Sequence, residues 1–168
     1  MSLAIFYSRV QEEIQAPLVT VEVRLSNGLP GLSIVGLPEM TGRKSKDRVR
    51  GAPISSQFEF PARHITINLA PADLPKEGGR FDLPIALGIL VASNQLAKEP
   101  LSYYEFTAEL PLSEKLRPVN GILPTALTAR DAGRSLILPE QNVAEATLVS
   151  GLDCYPANYI LEVCSHLN

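Results

Sequence analysis

The chain has 168 residues, 45% of them hydrophobic and 20% charged, with a net charge of −3. That length suits one domain with a substantial core, and the composition excludes a disordered tail or a fibre. So mild a charge sets up no whole-molecule field for nucleic acid, and any such role must rest on a local patch.

In chain order, residues 3–9 and 18–25 read as strands. In the second, Val19, Val21, Val23 and Leu25 alternate with Thr20, Glu22 and Arg24, the period-two pattern of a half-buried strand. Ser26-Asn27-Gly28 signals a hairpin, because Asn and Gly accept the positive φ of tight turns, and residues 31–37 return as an apolar strand. Pro38 and Glu39 open a helix with a proline in its first turn and an acid at the positive dipole end. It is predicted to run to Gly51, where Gly-Ala-Pro breaks it. Residues 64–69 form another strand. Asp82 is the expected N-cap of a helix over 83–96, apolar nearly all round and therefore central to the core.

Residues 106–119 read as a second hairpin, turning at Ser113-Glu-Lys. A helix over 122–132 ends at Gly133. A short buried strand at 136–138, a helix over 140–149, an extended segment at 152–155 and a helix over 157–167 complete the chain. Hairpins first, then strands mixed with helices, describe an α+β (mixed-sheet α/β) fold. The expectation is one two-layer domain over residues 1–168, with hairpin strands at its start and helices on one side of the sheet.

The first residues lack a basic lead and a long apolar core, so no signal peptide is expected. The longest apolar run, residues 83–93, is far short of the ~20 residues of a membrane span. The expected setting is soluble and cytoplasmic, with no membrane partner. Cys154 and Cys164 are the two cysteines, read as reduced thiols with a single bridge as the alternative.

The loop from Asn68 to Leu87 joins a strand to a helix and holds three prolines and two glycines. It carries Asp73, Lys76, Glu77, Arg80 and Asp82 but no Ser, Thr, Cys or His, hence no ordinary nucleophile. Asp73, Glu77 and Asp82 form either a carboxylate cluster or a helix cap with solvated neighbours. No Gly-x-x-x-x-Gly-Lys-Ser/Thr phosphate loop occurs, and the segment from Gly42 to Ser45 resembles one without its leading glycine. His64, His166 and the two cysteines have no zinc spacing, so no metal is assigned.

The main charge feature spans residues 43–50, where five bases and one acid give a local +4. On a helix Arg43, Lys46 and Arg50 share one face, with Lys44 and Arg48 on its flank. Such a face neutralises phosphates, or is simply a solvated surface. Arg63, Lys76 and Arg80 either extend it or, for Arg80, brace the loop through Glu77 or Asp82. The nucleic-acid candidates are therefore Arg43, Lys44, Lys46, Arg48, Arg50, Lys76 and Arg80. Tyr103 and Tyr104 stack on bases or pack on the sheet.

Several stretches resemble one family. They are Met1-Ser-Leu-Ala, Gln15-Ala-Pro-Leu-Val-Thr-Val-Glu-Val, Ser26-Asn-Gly-Leu-Pro-Gly, Ile34-Val-Gly-Leu-Pro-Glu, Arg48-Val-Arg, Phe58-Glu-Phe-Pro-Ala-Arg, the 68–87 loop, Leu116-Arg-Pro-Val and Leu161-Glu-Val-Cys. Together they resemble the start of the ComM/YifB proteins, magnesium-chelatase-like AAA+ ATPases. The resemblance implies an N-terminal domain whose ATPase module, with its ATP and Mg, lies beyond Asn168. It also implies a homo-hexameric motor acting on DNA in natural transformation, recombination and branch migration. The fold it implies is similar to the Lon protease proteolytic domain and the C-terminal domain of RadA, a ribosomal-protein-type two-layer arrangement.

Lon's serine lies in a Pro-Lys-Asp-Gly-Pro-Ser-Ala-Gly motif. The matching stretch, Pro75-Lys76-Glu77-Gly78-Gly79-Arg80-Phe81-Asp82, puts Arg80 at the serine position, and Leu123 falls where the lysine would follow. Neither can act as nucleophile or base, so the resemblance implies a non-catalytic domain without a cofactor of its own. It would aid ring assembly or contact DNA. The alternatives are a protein-interaction or oligomerisation platform without nucleic acid, an accessory domain of a chelatase-like ATPase, and a residual peptidase.

Overall fold

The computed structural model describes residues 2–12, 14–55, 57–76, 78–97, 101–111 and 115–167. Strands β1 (Ser2–Arg9), β2 (Leu18–Ser26) and β3 (Gly31–Val35) come first, followed by helix α1 (Glu39–Ser55) and strand β4 (His64–Ala70). Helix α2 (Asp82–Ala92) leads to β5 (Tyr104–Phe106), α3 (Ile122–Asp131) and β6 (Ser135–Pro139). Short helix α4 (Val143–Ala146), β7 (Cys154–Ala157) and α5 (Ile160–Leu167) finish the chain.

The expected α+β class is what the chain adopts, in two sheets. One runs β1-β2-β4-β3 and the other β5-β6-β7. Strands β1 and β2 are antiparallel neighbours, with Phe6 opposite Val21. The inward sides of β2 and β4 alternate as patterned: Val19, Val21, Val23 and Leu25 of β2 and Ile65, Ile67 and Leu69 of β4 are fully buried. Helix α2 lies on β1 and β2 and is buried along its whole length, which explains its lack of a polar face. Helix α1 packs beside α2 and against β3. In the second sheet all pairings are parallel. A small apolar cluster joins α3 to α4 and β6 through Ile122, Ala126, Leu138 and Ala146.

Four expectations change. Ser26-Asn27-Gly28 does not close a hairpin onto β3, because β4 inserts between β2 and β3 and pairs parallel with β3. Helix α1 passes through Gly51 and Pro53 to Ser55. A proline in the last turn forfeits one backbone donor but keeps a helical φ. Asp82 is not the N-cap. Phe81 holds that position, and Asp82 is the first helical residue with its side chain turned inward. The second hairpin reduces to a single antiparallel bridge between Glu109 and Arg117, and the Ser113-Glu part of its turn lies outside the described residues. Among the described residues no helix is long and apolar enough to cross a membrane.

Candidate functional site

The loop from β4 to α2 is tied down by its own charged residues. Lys76 is 1% exposed, and its Nζ donates to the carbonyl oxygens of Pro71 at 2.5 Å and Leu74 at 2.9 Å. Burial lowers its pKa from the usual lysine value, against an upward pull from Asp73. The side chain closes its own loop and adds nothing to an exposed basic surface.

Asp82 receives four hydrogen bonds from three residues, two on α1 and one in the segment after β5. Ser45 Oγ donates to Oδ1 at 2.6 Å, Arg48 Nε to Oδ2 at 2.5 Å, Arg48 Nη2 to Oδ1 at 3.3 Å, and the Leu110 backbone N–H to Oδ2 at 3.1 Å. Burial pushes its pKa up to about 6, opposed by the bonds from Arg48, Ser45 and Leu110. Burial alone would lower Arg48, but the bond and charge of Asp82 hold it above the ordinary arginine value.

Arg80 is 6% exposed. Its guanidinium donates to the carbonyl oxygens of Arg9 and Asn120, not to Asp82, and Glu77 lies outside the described residues. Burial lowers its pKa. Bracing through Asp82 is therefore replaced by bracing through backbone carbonyls. These bonds draw the end of β1, the Gly-Gly loop and the segment before α3 around one cleft of about 540 Å³. Gln11, Glu12 and Glu109 line it beside Arg80, over the backbone of Gly78, Gly79 and Asn120. Among its described lining residues there is no Ser, Thr, Cys, His or Lys. Side chains take the place of a Cβ at two glycines here: the Glu109 carboxylate lies against Gly79, and the Gln11 amide against Gly121, whose φ is +69°. Leu123 is half-buried, and its backbone N–H donates to Glu145 Oε1 at 3.2 Å.

The basic run forms the outer side of α1, as its spacing predicts for Arg43, Lys46 and Arg50. Arg43, Lys44 and Arg50 are exposed and Lys46 is partly so. Arg43 also pairs with Glu39 one turn earlier at 3.2 Å. Arg48 is not on the flank of this face. It points inward to Asp82, alongside the buried Ser45 three residues before it. The structure thus splits the seven sequence candidates: four on the outer side of α1, and Arg48, Lys76 and Arg80 turned into the fold.

Of the remaining candidates, Asp73 is exposed and separate from Asp82. Tyr103 is exposed, whereas Tyr104 packs among Phe106, Tyr155 and His166. Cys154 and Cys164 are free thiols, and burial pushes Cys164 up to about 11. Among the described residues no group of His, Cys, Asp and Glu is placed to hold a metal ion.

Sequence reading missed the ion pair of Arg9 with Glu105, 96 residues apart, which no local signal announces. It also missed the inward turn of Ser45 and Arg48. Their i, i+3 spacing was the available clue, since it puts both on the face opposite Lys46.

A family model described as subunit ChlI of Mg-chelatase matches residues 21–142. The chain belongs to that magnesium-chelatase family. Within it, the chain is 56% identical over all 168 residues to the competence protein ComM of Haemophilus influenzae, and covers 33% of that protein. It is 52% identical over 167 residues to the uncharacterized protein YifB of Salmonella typhimurium, with 99% of this chain and again 33% of the relative covered. The YifB protein of Escherichia coli is 50% identical over the same length. The chain thus spans about a third of the length of the curated relatives it matches.

Proposed function

We propose that this chain is a non-catalytic domain of a ComM/YifB-type AAA+ protein and that the outer face of α1 contacts DNA. The observation that carries this reading is the sorting of the basic run. Arg43, Lys44, Lys46 and Arg50 stand outward, while the fifth base is neutralised internally by Asp82. A relative named as a competence protein supports this reading, in which the DNA is that handled in natural transformation and recombination. ATP, Mg and the ring of six subunits would belong to the full-length protein, acting in the cytoplasm.

Absence of peptidase chemistry is part of the proposal. On a Lon-like scaffold, the serine and lysine positions carry Arg80 and Leu123. Arg80 lines the cleft and is bonded to Asn120, three residues before Leu123, which is itself not among the cleft's lining residues. A guanidinium held by carbonyls and an aliphatic side chain can neither attack a carbonyl carbon nor take its proton.

The test is anisotropy of labelled branched and single-stranded DNA at salt concentrations from about 50 to 200 mM. Each phosphate contact contributes about 0.7 (single strand) to 0.9 (duplex) to the slope of log K against log salt. Replacing Arg43, Lys46 and Arg50 with Gln should flatten the slope by about 2 to 3. An unchanged slope removes α1 from the interface.

A second reading, an oligomerisation platform without nucleic acid, is favoured by a different observation. Strand β3 is one edge of its sheet, and Leu29, Val35 and Met40 around it are exposed. A light-scattering mass that stays oligomeric with the basic face neutralised, together with no DNA binding, would select it.

A further inference from the structure

We propose that the cleft beside Arg80 is a receptor for an extended peptide, whose carboxylate is held by the Arg80 guanidinium. At about 540 Å³ the cleft has the size of a ligand site rather than a surface dimple. Arg80 lines it although only 6% exposed. A guanidinium has five N–H donors, and the carbonyls of Arg9 and Asn120 account for two of them. Among the described residues no carboxylate pairs with it. A buried cation without an opposite charge is costly, and a carboxylate entering the cleft supplies that charge with two-pronged geometry.

The rim decides which carboxylate. Glu12 is exposed at the mouth, and Glu109, paired with Arg117 at 3.5 Å, lies over Gly79. These two acids disfavour a polyanion such as DNA, which would bring many phosphates past them. They suit a peptide with one carboxylate in the centre and a basic residue beside it. Val10, Pro75, Pro118 and Val119 offer apolar wall to its side chains. The reaction is lost from this site in the reading above, but a binding function needs no nucleophile. The basic outer face of α1 is no part of the cleft, so failure here leaves the DNA reading untouched, and the reverse.

The experiment uses the full chain and a fluorescein-labelled pentapeptide ending in Lys-Ala-Leu with a free C-terminal carboxylate. Anisotropy should show saturable binding, weakened at least tenfold when the same peptide ends in an amide. Arg80→Gln should abolish binding and Arg80→Lys should retain part of it. Should Arg80 variants fail to fold, Glu12→Lys keeps the test open. It changes an exposed rim residue and should weaken the lysine-containing peptide several-fold while sparing one with Gln in its place. Equal binding of acid and amide overturns the proposal, as does no binding at all. Displacement of the peptide by a short oligothymidylate would assign the cleft to phosphates instead and equally overturn it.

Discussion

Arg48 Nε and Asp82 Oδ2 meet at 2.5 Å across 34 residues of sequence, with the Asp82 side chain 1% exposed and that of Arg48 17%. This pair fastens α1 to the start of α2. Removing one member of such a buried pair strands the other, at about 3–5 kcal/mol. We therefore expect Arg48→Gln to lower stability by more than about 2 kcal/mol. The triple replacement of Arg43, Lys46 and Arg50 by Gln should stay within about 0.5 kcal/mol, as for exposed positions. Urea midpoints of the two variants decide it, and similar losses would mean that Arg48 is no more internal than its neighbours.

Asp82 also sets a pH dependence. Its folded pKa is raised to about 6 by burial, above the ordinary carboxylate value of 3.8. Between these values the folded state binds more protons than the unfolded one, so this group's contribution is full below pH 3.8 and is lost as pH rises through 6. The window is worth up to about 3 kcal/mol. Thermal melts of wild type and Asp82→Asn from pH 7 down to pH 4 should diverge, wild type gaining stability relative to the variant. Parallel curves would place the titration elsewhere.

Glu105 should also be a costly carboxylate to delete. It is 1% exposed and accepts from Arg9 at 2.7 and 2.9 Å and from Arg134 at 3.2 Å. Arg134 also covers the ring of Tyr7, 4.1 Å from its centroid. Glu105→Ala leaves two cations facing each other and should cost about 3–5 kcal/mol. Arg134→Ala, at a partly exposed position, should cost much less. Denaturation midpoints in the reverse order would contradict this arrangement.

Gly88 opposes helix propensity to packing. Alanine in the middle of α2 gains about 1 kcal/mol of propensity. A Cβ there would run into the Val23 side chain, whose Cβ is only 3.1 Å away, and overpacking costs about 1–3 kcal/mol. Gly88→Ala should therefore destabilise, and adding Val23→Ala should recover part of the loss. A more stable single variant would mean that the α2 and β2 backbones separate easily.

Local pattern carried much of the fold into view. The alternation of Val19 to Leu25 fixed the inward face of β2, and the apolar run after Asp82 marked α2 as central. What failed was non-local. Asn27-Gly28 has ideal hairpin chemistry, yet the better partner for β2 is β4, nearly forty residues on, because its Ile65, Ile67 and Leu69 complete the same buried face. The candidate site divided along the same line. Outward bases followed from helical spacing, whereas the partners of Arg48, Lys76 and Arg80 depend on segments that meet only in the folded chain. Asp82 misled because a short acid before an apolar helix is the usual cap, and nothing local distinguishes a cap from a buried anchor.

The position of β4 carries a consequence for biosynthesis. A nascent chain halted before residue 64 presents two strands, β2 and β3, each lacking the neighbour they will eventually share. Until that neighbour emerges from the ribosome, the valine-rich side of β2 has an open margin on which a second nascent copy could lodge. Slowing translation through residues 36–70 should therefore lower the yield of correctly folded chain.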